Sequence, residues 1–292
     1  MSRPTSTLIY WIRRYLAQFS AQIAKIMATF IASSLVLWLV FSSQLGWAAD
    51  KNAVSAATRD HQRSADLTMQ ALAAAVEPTE VLWLKTDDQP FLSLYRPAVD
   101  AAQMAIILLP SQPHQMADSG LLQTLYRDLP IAGWSSLIVA LPAQPSQHAN
   151  ELVNDAQHRL AIHRTDQALD HMMAQGAGST ALIADSLSAQ LAIETAITRP
   201  DITSGLVLWQ LDHLQLTSDK LQQLASSQIT LLDILPAGLL KQDKINRRRQ
   251  FQLAGFGQNY RQISVPKGQA AIRYSSRRIQ EWIATEFKKY TH

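Results

Sequence analysis

Short apolar runs alternate with helical patterns along most of this chain. The first two runs, Val81–Leu84 and Phe91–Tyr95, flank Asp87 and Asp88, and this arrangement predicts a β-hairpin. Further strands are predicted at Met104–Leu109, Leu137–Leu141, Ala181–Ala184, Leu206–Trp209, Ile229–Leu235 and Gln262–Val265. Helical patterns follow them at Leu121–Leu129, Glu151–Gln175, Leu187–Thr198, Ser218–Ala225, Lys241–Leu253 and Tyr274–Lys289. Continuous apolar runs are typical of strands buried on both faces. We therefore expect an α/β fold with an opening β-hairpin and a mostly parallel central sheet of about eight strands, with helices on both faces.

The most informative point of the pattern is the abrupt change at Ser186. The apolar run Ala181–Ala184 ends just before it, and a helical pattern begins just after it. A strand that feeds a helix through one sharp turn is the geometry of the nucleophile elbow, G-x-S-x-G, which needs small residues two before and two after the serine. Ala184 and Ser188 hold those places. The sequence thus makes Ser186 a candidate nucleophile, and the competing interpretation is a serine that caps the following helix, beside Asp185.

The N-terminal residues 1–49 have the pattern of a targeting segment. Four basic residues precede a run without charges, residues 26–49, and Gly46-Trp-Ala48 resembles a signal-peptidase site. The run also has about the ~20 residues that cross a bilayer, so a signal peptide and a membrane anchor both fit. Either interpretation predicts an exported, periplasmic protein, with membrane contact through residues 26–47. Residues 50–79 are expected to form a helical linker with one helix at Asp66–Val76, and residues 80–292 the α/β domain.

Composition and charge exclude several classes of function. The chain has no cysteine, which excludes thiolate metal sites and a cysteine nucleophile. Its formal charge of +3 includes four cations that all precede the first acidic residue, Asp50, so the remainder carries 3 − 4 = −1. A near-neutral body gives no electrostatic case for nucleic acid. His148, His158, His163 and His171 share no i, i+4 face, which favours solvated side chains over a metal site, and no motif indicates a cofactor.

Several segments carry a resemblance to a known family. They are Ile107-Leu-Leu-Pro-Ser111, Leu129-Pro-Ile-Ala-Gly-Trp134, Leu137-Ile-Val-Ala-Leu-Pro142, Leu232-Asp-Ile234 and Arg277-Arg-Ile-Gln-Glu-Trp-Ile283. Over roughly residues 78–290 the chain resembles a proteobacterial family of uncharacterised, exported α/β-hydrolase-like proteins. The resemblance implies the α/β-hydrolase fold, in which the nucleophile follows the fifth strand, and it implies no particular reaction.

A serine hydrolase of this fold needs an acid and a histidine after the nucleophile, in that order. Asp233, within a predicted strand, is the first candidate acid, because a buried carboxylate needs a hydrogen-bonding partner. Asp212 is the alternative. The histidine is expected after the last strand, but Pro266-Lys-Gly-Gln-Ala-Ala271 contains none. The candidate bases are therefore His114, His213 and, by analogy with Ser-Lys enzymes, Lys267.

The oxyanion hole is also atypical. Pro110-Ser-Gln-Pro-His114 stands where the fold carries a glycine-rich loop, and prolines supply no backbone N–H. The backbone N–H groups of Gln112 and Leu187 are the remaining candidates. Outside this region, Arg247-Arg-Arg249 is expected to be a solvated basic face, with anionic lipid contact as a secondary interpretation.

These observations lead to two hypotheses. The first is an envelope protein with a hydrolase scaffold and an incomplete triad, which binds a small molecule or an envelope protein. The second is an active esterase or peptidase in which Ser186 is the nucleophile, Asp233 the acid, and His114 or His213 a displaced base.

Overall fold

The structure, a computed structural model, describes residues 67–86, 89–99, 104–111, 116, 120–142, 151–185, 188–209, 217–266 and 270–287, with the backbone alone for 151–154. These residues belong to one structural unit, which begins at His61. The predicted targeting segment, residues 1–49, lies outside the described residues. Within the described part of the chain, no helix has both the length and the apolar character needed to cross a membrane.

The sheet has eight strands. They are β1 (Val81–Thr86), β2 (Gln89–Arg96), β3 (Met104–Leu109), β4 (Ser135–Val139), β5 (Ser179–Asp185), β6 (Thr203–Trp209), β7 (Thr230–Leu235) and β8 (Tyr260–Ser264). The order across the sheet is β1-β2-β4-β3-β5-β6-β7-β8. The hairpin strands β1 and β2 are antiparallel to their neighbours, and every pairing from β4 to β8 is parallel. The predicted hairpin and mostly parallel sheet are therefore confirmed.

The helices alternate with the strands as the pattern predicts. They are α1 (67–75), α2 (Leu121–Asp128), α3 (Glu151–Ala174), α4 (Ala189–Thr198), α5 (Ser218–Ser226), α6 (Lys241–Leu253) and α7 (Ala270–Glu286), with short 3-10 turns at Pro78–Glu80 and Gly257–Asn259. They form two groups: α2 packs against α7, while α4 packs against both α3 and α5. Helix α1 adds Met69 to the core, so the segment before the sheet is laid over it.

Central strands are apolar because they are covered on both faces. All residues of β3 and β5 are buried. Phe287, the residue that follows α7, packs closely against the sheet at Gly205 in β6, where an added Cβ would lie 2.4 Å from Cζ of Phe287. Burying the apolar surface of these central strands stabilises the fold by about 25 cal/mol per Å². This core holds the carboxyl ends of β3, β5, β6 and β7 along one edge of the sheet.

Several element boundaries differ from the sequence-based expectation. Strand β4 begins at Ser135, two residues before the apolar run, because the Ser136 hydroxyl donates to the carbonyl oxygen of Tyr126 and Ser135 Oγ accepts from the Ala98 N–H. Strand β8 likewise begins at Tyr260 and ends before Val265, and α7 begins at Ala270 rather than Tyr274. Local apolarity does not reveal these ends, because tertiary hydrogen bonds decide them.

Candidate functional site

The connection between β5 and α4 has the flanks of a nucleophile elbow. Strand β5 lies between its parallel neighbours β3 and β6 and ends at Asp185. Helix α4 begins at Ala189, and its N-cap position falls on Ser188, not on Ser186. The interpretation of Ser186 as a helix cap is therefore wrong, as is the predicted helix start at Leu187. Ser186 and Leu187 themselves lie outside the described residues, so the nucleophile role of Ser186 stays a prediction.

A buried cluster of polar side chains surrounds this connection. The carboxylate of Asp185 accepts hydrogen bonds from the hydroxyls of Ser111 and Ser188 through the same oxygen, Oδ1. The Ser188 hydroxyl also lies 2.5 Å from the carbonyl oxygen of Leu109, at the end of β3. Because one hydroxyl donates a single proton, these contacts of Ser188 are alternatives. The cluster ties the end of β3 to the start of α4.

Ser188 occupies the second small-residue place of the elbow pattern. It is only 1% exposed, so its hydroxyl must find a partner inside the protein, and the cluster supplies it. A glycine at this place makes no such contact. Ser188 therefore gives this elbow a hydrogen-bonded link to β3 that the glycine pattern lacks.

The charge of Asp185 affects what the site can stabilise. Asp185 is 7% exposed, and no Lys, Arg or His of the described residues forms an ion pair with it. Its carboxylate contacts Ser111, which immediately precedes Gln112, one of the two candidate oxyanion donors. Acyl transfer needs a positive potential where the oxyanion develops. A buried carboxylate at the ends of β3 and β5 has the opposite effect.

Asp233 belongs to a second buried polar cluster, on β7, β8 and α6. The Tyr260 hydroxyl donates to Oδ2 of Asp233 at 2.8 Å, and Nε of Arg247 lies 3.5 Å from the same oxygen. Gln262 in turn donates to the Tyr260 hydroxyl oxygen at 2.9 Å. Asp233 is fully buried, and Oδ1 has no hydrogen-bond partner among the described residues. Burial raises the pKa of Asp233, although Arg247 and the Tyr260 hydroxyl act in the opposite direction.

The hydrogen-bonded role predicted for Asp233 is confirmed, while its role as a catalytic acid stays a prediction. In register, Asp233 pairs with Leu208 of β6, and Leu208 pairs with Ala184 of β5. Strand β6 thus separates Asp233 from the strand that carries the elbow, and the partners of its carboxylate come from β8 and α6. The solvated face predicted for Arg247 is wrong for this residue, which is 6% exposed because it pairs with Asp233.

The described histidines lie on α3 and make contacts away from both clusters. His158 Nε2 lies 2.5 Å from Oε2 of Glu194, so this side chain is paired and not simply solvated. The imidazole of His171 packs edge-on against the ring of Tyr95, with 5.8 Å between the ring centroids. Its buried Nε2 has no hydrogen-bond partner in the described structure. Burial lowers the pKa of His171. Neither imidazole hydrogen-bonds to Asp185 or Asp233.

The remaining candidates, Gln112, His114, Asp212, His213 and Lys267, lie outside the described residues. Among the residues that are described, no group of three or more His, Asp or Glu side chains could hold a metal ion. The sequence reasoning missed the contact between Ser111 and Asp185. Its signal was available, because both residues come at the carboxyl ends of strands that the fold places side by side.

The comparisons with known proteins agree with this architecture. Est1E from Butyrivibrio proteoclasticus has a TM-score of 0.56 at 7% identity, over 72% of this chain and 99% of that chain. The fold is that of the α/β hydrolases. A protein of unknown function from Agrobacterium tumefaciens (TM-score 0.54, 12% identity, 72% and 97% coverage) shares it. A dienelactone hydrolase from Anabaena variabilis also shares the fold, with a TM-score of 0.51 at 14% identity, over 70% of this chain and 95% of that chain.

At the level of sequence, the match is to a family without a known role. The family model described as a protein of unknown function, DUF3530, matches residues 30–159. That range includes β1 to β4 and Ser111 of the first polar cluster, and it ends within α3, before Asp185, Ser188 and the whole second cluster. No curated protein matches the chain. The likeness to hydrolases therefore concerns the fold, and the reaction has to be argued from the site.

Proposed function

We propose that this protein is a bacterial envelope protein in which an α/β-hydrolase scaffold with an incomplete triad binds a small molecule or an envelope protein. The observation that carries the proposal is the connection between β8 and α7, where a hydrolase of this fold holds its histidine. The ends of these two elements define the connection as residues 265–269, Val-Pro-Lys-Gly-Gln, which include no histidine.

The chemistry of the elbow supports the same proposal. Removing one member of a catalytic triad typically lowers the rate by about 10⁴-fold or more. A serine without a base is a weak nucleophile near neutral pH. Asp185 adds a buried carboxylate at the end of β5, in contact with Ser111, whereas an oxyanion needs a positive potential. Residues 1–49 support the envelope location, as a cleaved signal peptide or as an anchor that contacts the membrane through residues 26–47.

The second candidate function is an active serine hydrolase. The observation that favours it is the flank geometry: Ser186 falls between the end of a central strand and a helix whose cap lies two residues further on. In this case Ser186 is the nucleophile, Asp233 the acid, and His114 or His213 the base. Est1E, which shares the fold, has been solved with ferulic acid bound, and an ester of an aromatic acid is a reasonable first substrate to assay.

A fluorophosphonate probe separates the two functions, because it reacts covalently with activated serine nucleophiles. Full-length wild-type protein, Ser186→Ala and Ser218→Ala are incubated with the probe beside an active serine hydrolase. Ser218 is the matched control, since it is an exposed serine at the start of α5. We expect the wild type and both variants to show equal background labelling, with circular dichroism confirming that all three are folded. The hydrolase would be established instead if the wild type and Ser218→Ala were labelled and Ser186→Ala were not.

A further inference from the structure

Helix α6 and the edge strand β8 enclose a groove of about 630 Å³, whose lining includes Arg248 and Arg249 of the basic run but not the carboxylate of either buried polar cluster. Its walls are Lys241, Lys244, Ile245, Arg248, Arg249, Gln252, Gln262 and Ser264. The α6 residues recur at spacings of three and four, so they form one stripe along the helix. Gln262 and Ser264 alternate along β8 and face the same side. The volume is in the range of pockets that bind small molecules.

The charge of the groove is unlike that of the rest of the molecule. Four of its eight lining residues are cations and none is acidic, whereas residues 50–292 together carry −1. Lys241, Arg248 and Arg249 are exposed and Lys244 is half-buried. Within the described part of the chain, none of the four forms an ion pair, although Arg247 on the adjacent face of the same helix does. The groove is therefore a concave positive site whose cations have no counterion among the described residues.

This arrangement has an energetic cost for the helix. Lys244 and Arg248 are four residues apart, and like charges at that spacing destabilise a helix. Lys241 is the first residue of α6, at the end of the helix dipole that disfavours cations. The one acidic residue of the first turn, Asp243, does not line the groove. An anion bound in the groove would relieve both penalties.

We propose that this groove binds a phosphate-bearing anion. Guanidinium groups bind phosphate oxygens through paired hydrogen bonds, and ammonium groups add charge-assisted bonds. The side-chain amide of Gln252 supplies neutral donors, and Ile245 supplies one apolar contact for the rest of the ligand. A soluble phosphate compound and the headgroup of an anionic lipid present the same chemistry. The site lies at the β8 edge of the sheet, three strands from β5, so it is independent of whether Ser186 is catalytic.

Two experiments test the proposal. The first is calorimetric titration of the full-length protein with inorganic pyrophosphate. The second is co-sedimentation of the protein with vesicles of phosphatidylglycerol or, for comparison, of phosphatidylcholine. The groove variant is Lys244→Gln/Arg248→Gln. The control variant, Arg159→Gln/Arg273→Gln, also removes two helical cations, and these are exposed and lie outside the groove. All proteins share the same residues 26–47, so any binding of that segment to vesicles cancels. Thermal melts confirm that both variants are folded.

We expect the groove variant to bind pyrophosphate about tenfold or more weakly than the wild type, and the control variant to stay within about twofold. If the groove variant loses pyrophosphate binding and keeps its binding to phosphatidylglycerol vesicles, the ligand is a soluble phosphate compound. Loss of phosphatidylglycerol vesicle binding in the groove variant identifies a lipid headgroup. Equal weakening in both variants, or no groove-dependent binding to either probe, would overturn the proposal. Labelling of Ser186 in the fluorophosphonate experiment would overturn the non-catalytic function and leave this result unaffected.

Discussion

Replacing Arg247 with methionine removes the cation that faces the buried carboxylate of Asp233, and we expect the free energy of unfolding to fall by about 3–5 kcal/mol. The carboxylate is fully buried, and only its Oδ2 has partners among the described residues, Arg247 Nε at 3.5 Å and the Tyr260 hydroxyl at 2.8 Å. At 3.5 Å, two unit charges attract by about 5 kcal/mol in a medium with an effective dielectric constant of ~20. A domain is stable by only about 5–15 kcal/mol, so the loss is easily measured.

A double-mutant cycle shows whether the two side chains act as a pair. Urea unfolding, followed by tryptophan fluorescence, is measured for the wild type, Asp233→Asn, Arg247→Met and the double variant. We expect Asp233→Asn to cost about 2–3 kcal/mol, since it removes the buried carboxylate charge that faces Arg247 and accepts from Tyr260. The free energy of unfolding that the double variant loses should be about 2 kcal/mol smaller than the sum of the two single losses. The reason is that the double variant leaves neither charge of the pair unpaired. Losses that add to within about 0.5 kcal/mol would refute the ion pair.

The same cycle has a pH dependence with a definite sign. Burial raises the folded-state pKa of Asp233, and loss of Arg247 raises it further. Between the ordinary carboxyl pKa and the raised value, the folded protein binds more protons than the unfolded chain, so stability falls as pH rises. The destabilisation of Arg247→Met should therefore be smaller at about pH 5 than at about pH 7.5. A destabilisation that grows on acidification would contradict the burial argument.

Two further predictions concern packing and protonation. Gly205→Ala should lower the free energy of unfolding by about 1–3 kcal/mol, since its Cβ would lie 2.4 Å from Cζ of Phe287. The control is Gly238→Ala, whose added Cβ meets no atom within 4 Å, so its urea unfolding should change little. Equal destabilisation by the two substitutions would contradict the packing argument. For His171, burial lowers the folded-state pKa, so the unfolded chain takes up its proton first and wild-type stability declines as pH falls below the ordinary imidazole value. His171→Phe should decline less between about pH 7 and about pH 5.5 in the same assay, and identical slopes would rule out this contribution.

The sequence determined the architecture because strand and helix patterns are local. Continuous apolar runs identified the strands, and their alternation with helices of crossover length predicted the parallel order that the sheet shows. The apolar pattern does not reveal the start of β4, because Ser135 and Ser136 are polar and their hydroxyls are satisfied by distant backbone groups. A short polar segment has no local signal that separates such burial from a loop.

The candidate site depended on tertiary structure to a much greater extent. The elbow position was readable from a strand, a serine and a helix in succession. Asp185, however, obtains one of its hydrogen bonds from Ser111, 74 residues earlier in the chain. Asp233 is held by Tyr260, 27 residues later, and by Arg247, which the sequence alone presents as one of three solvated arginines. Burial and partners decide whether a charge is structural, catalytic or available to a ligand, and both are set by which strands and helices become neighbours when the chain folds.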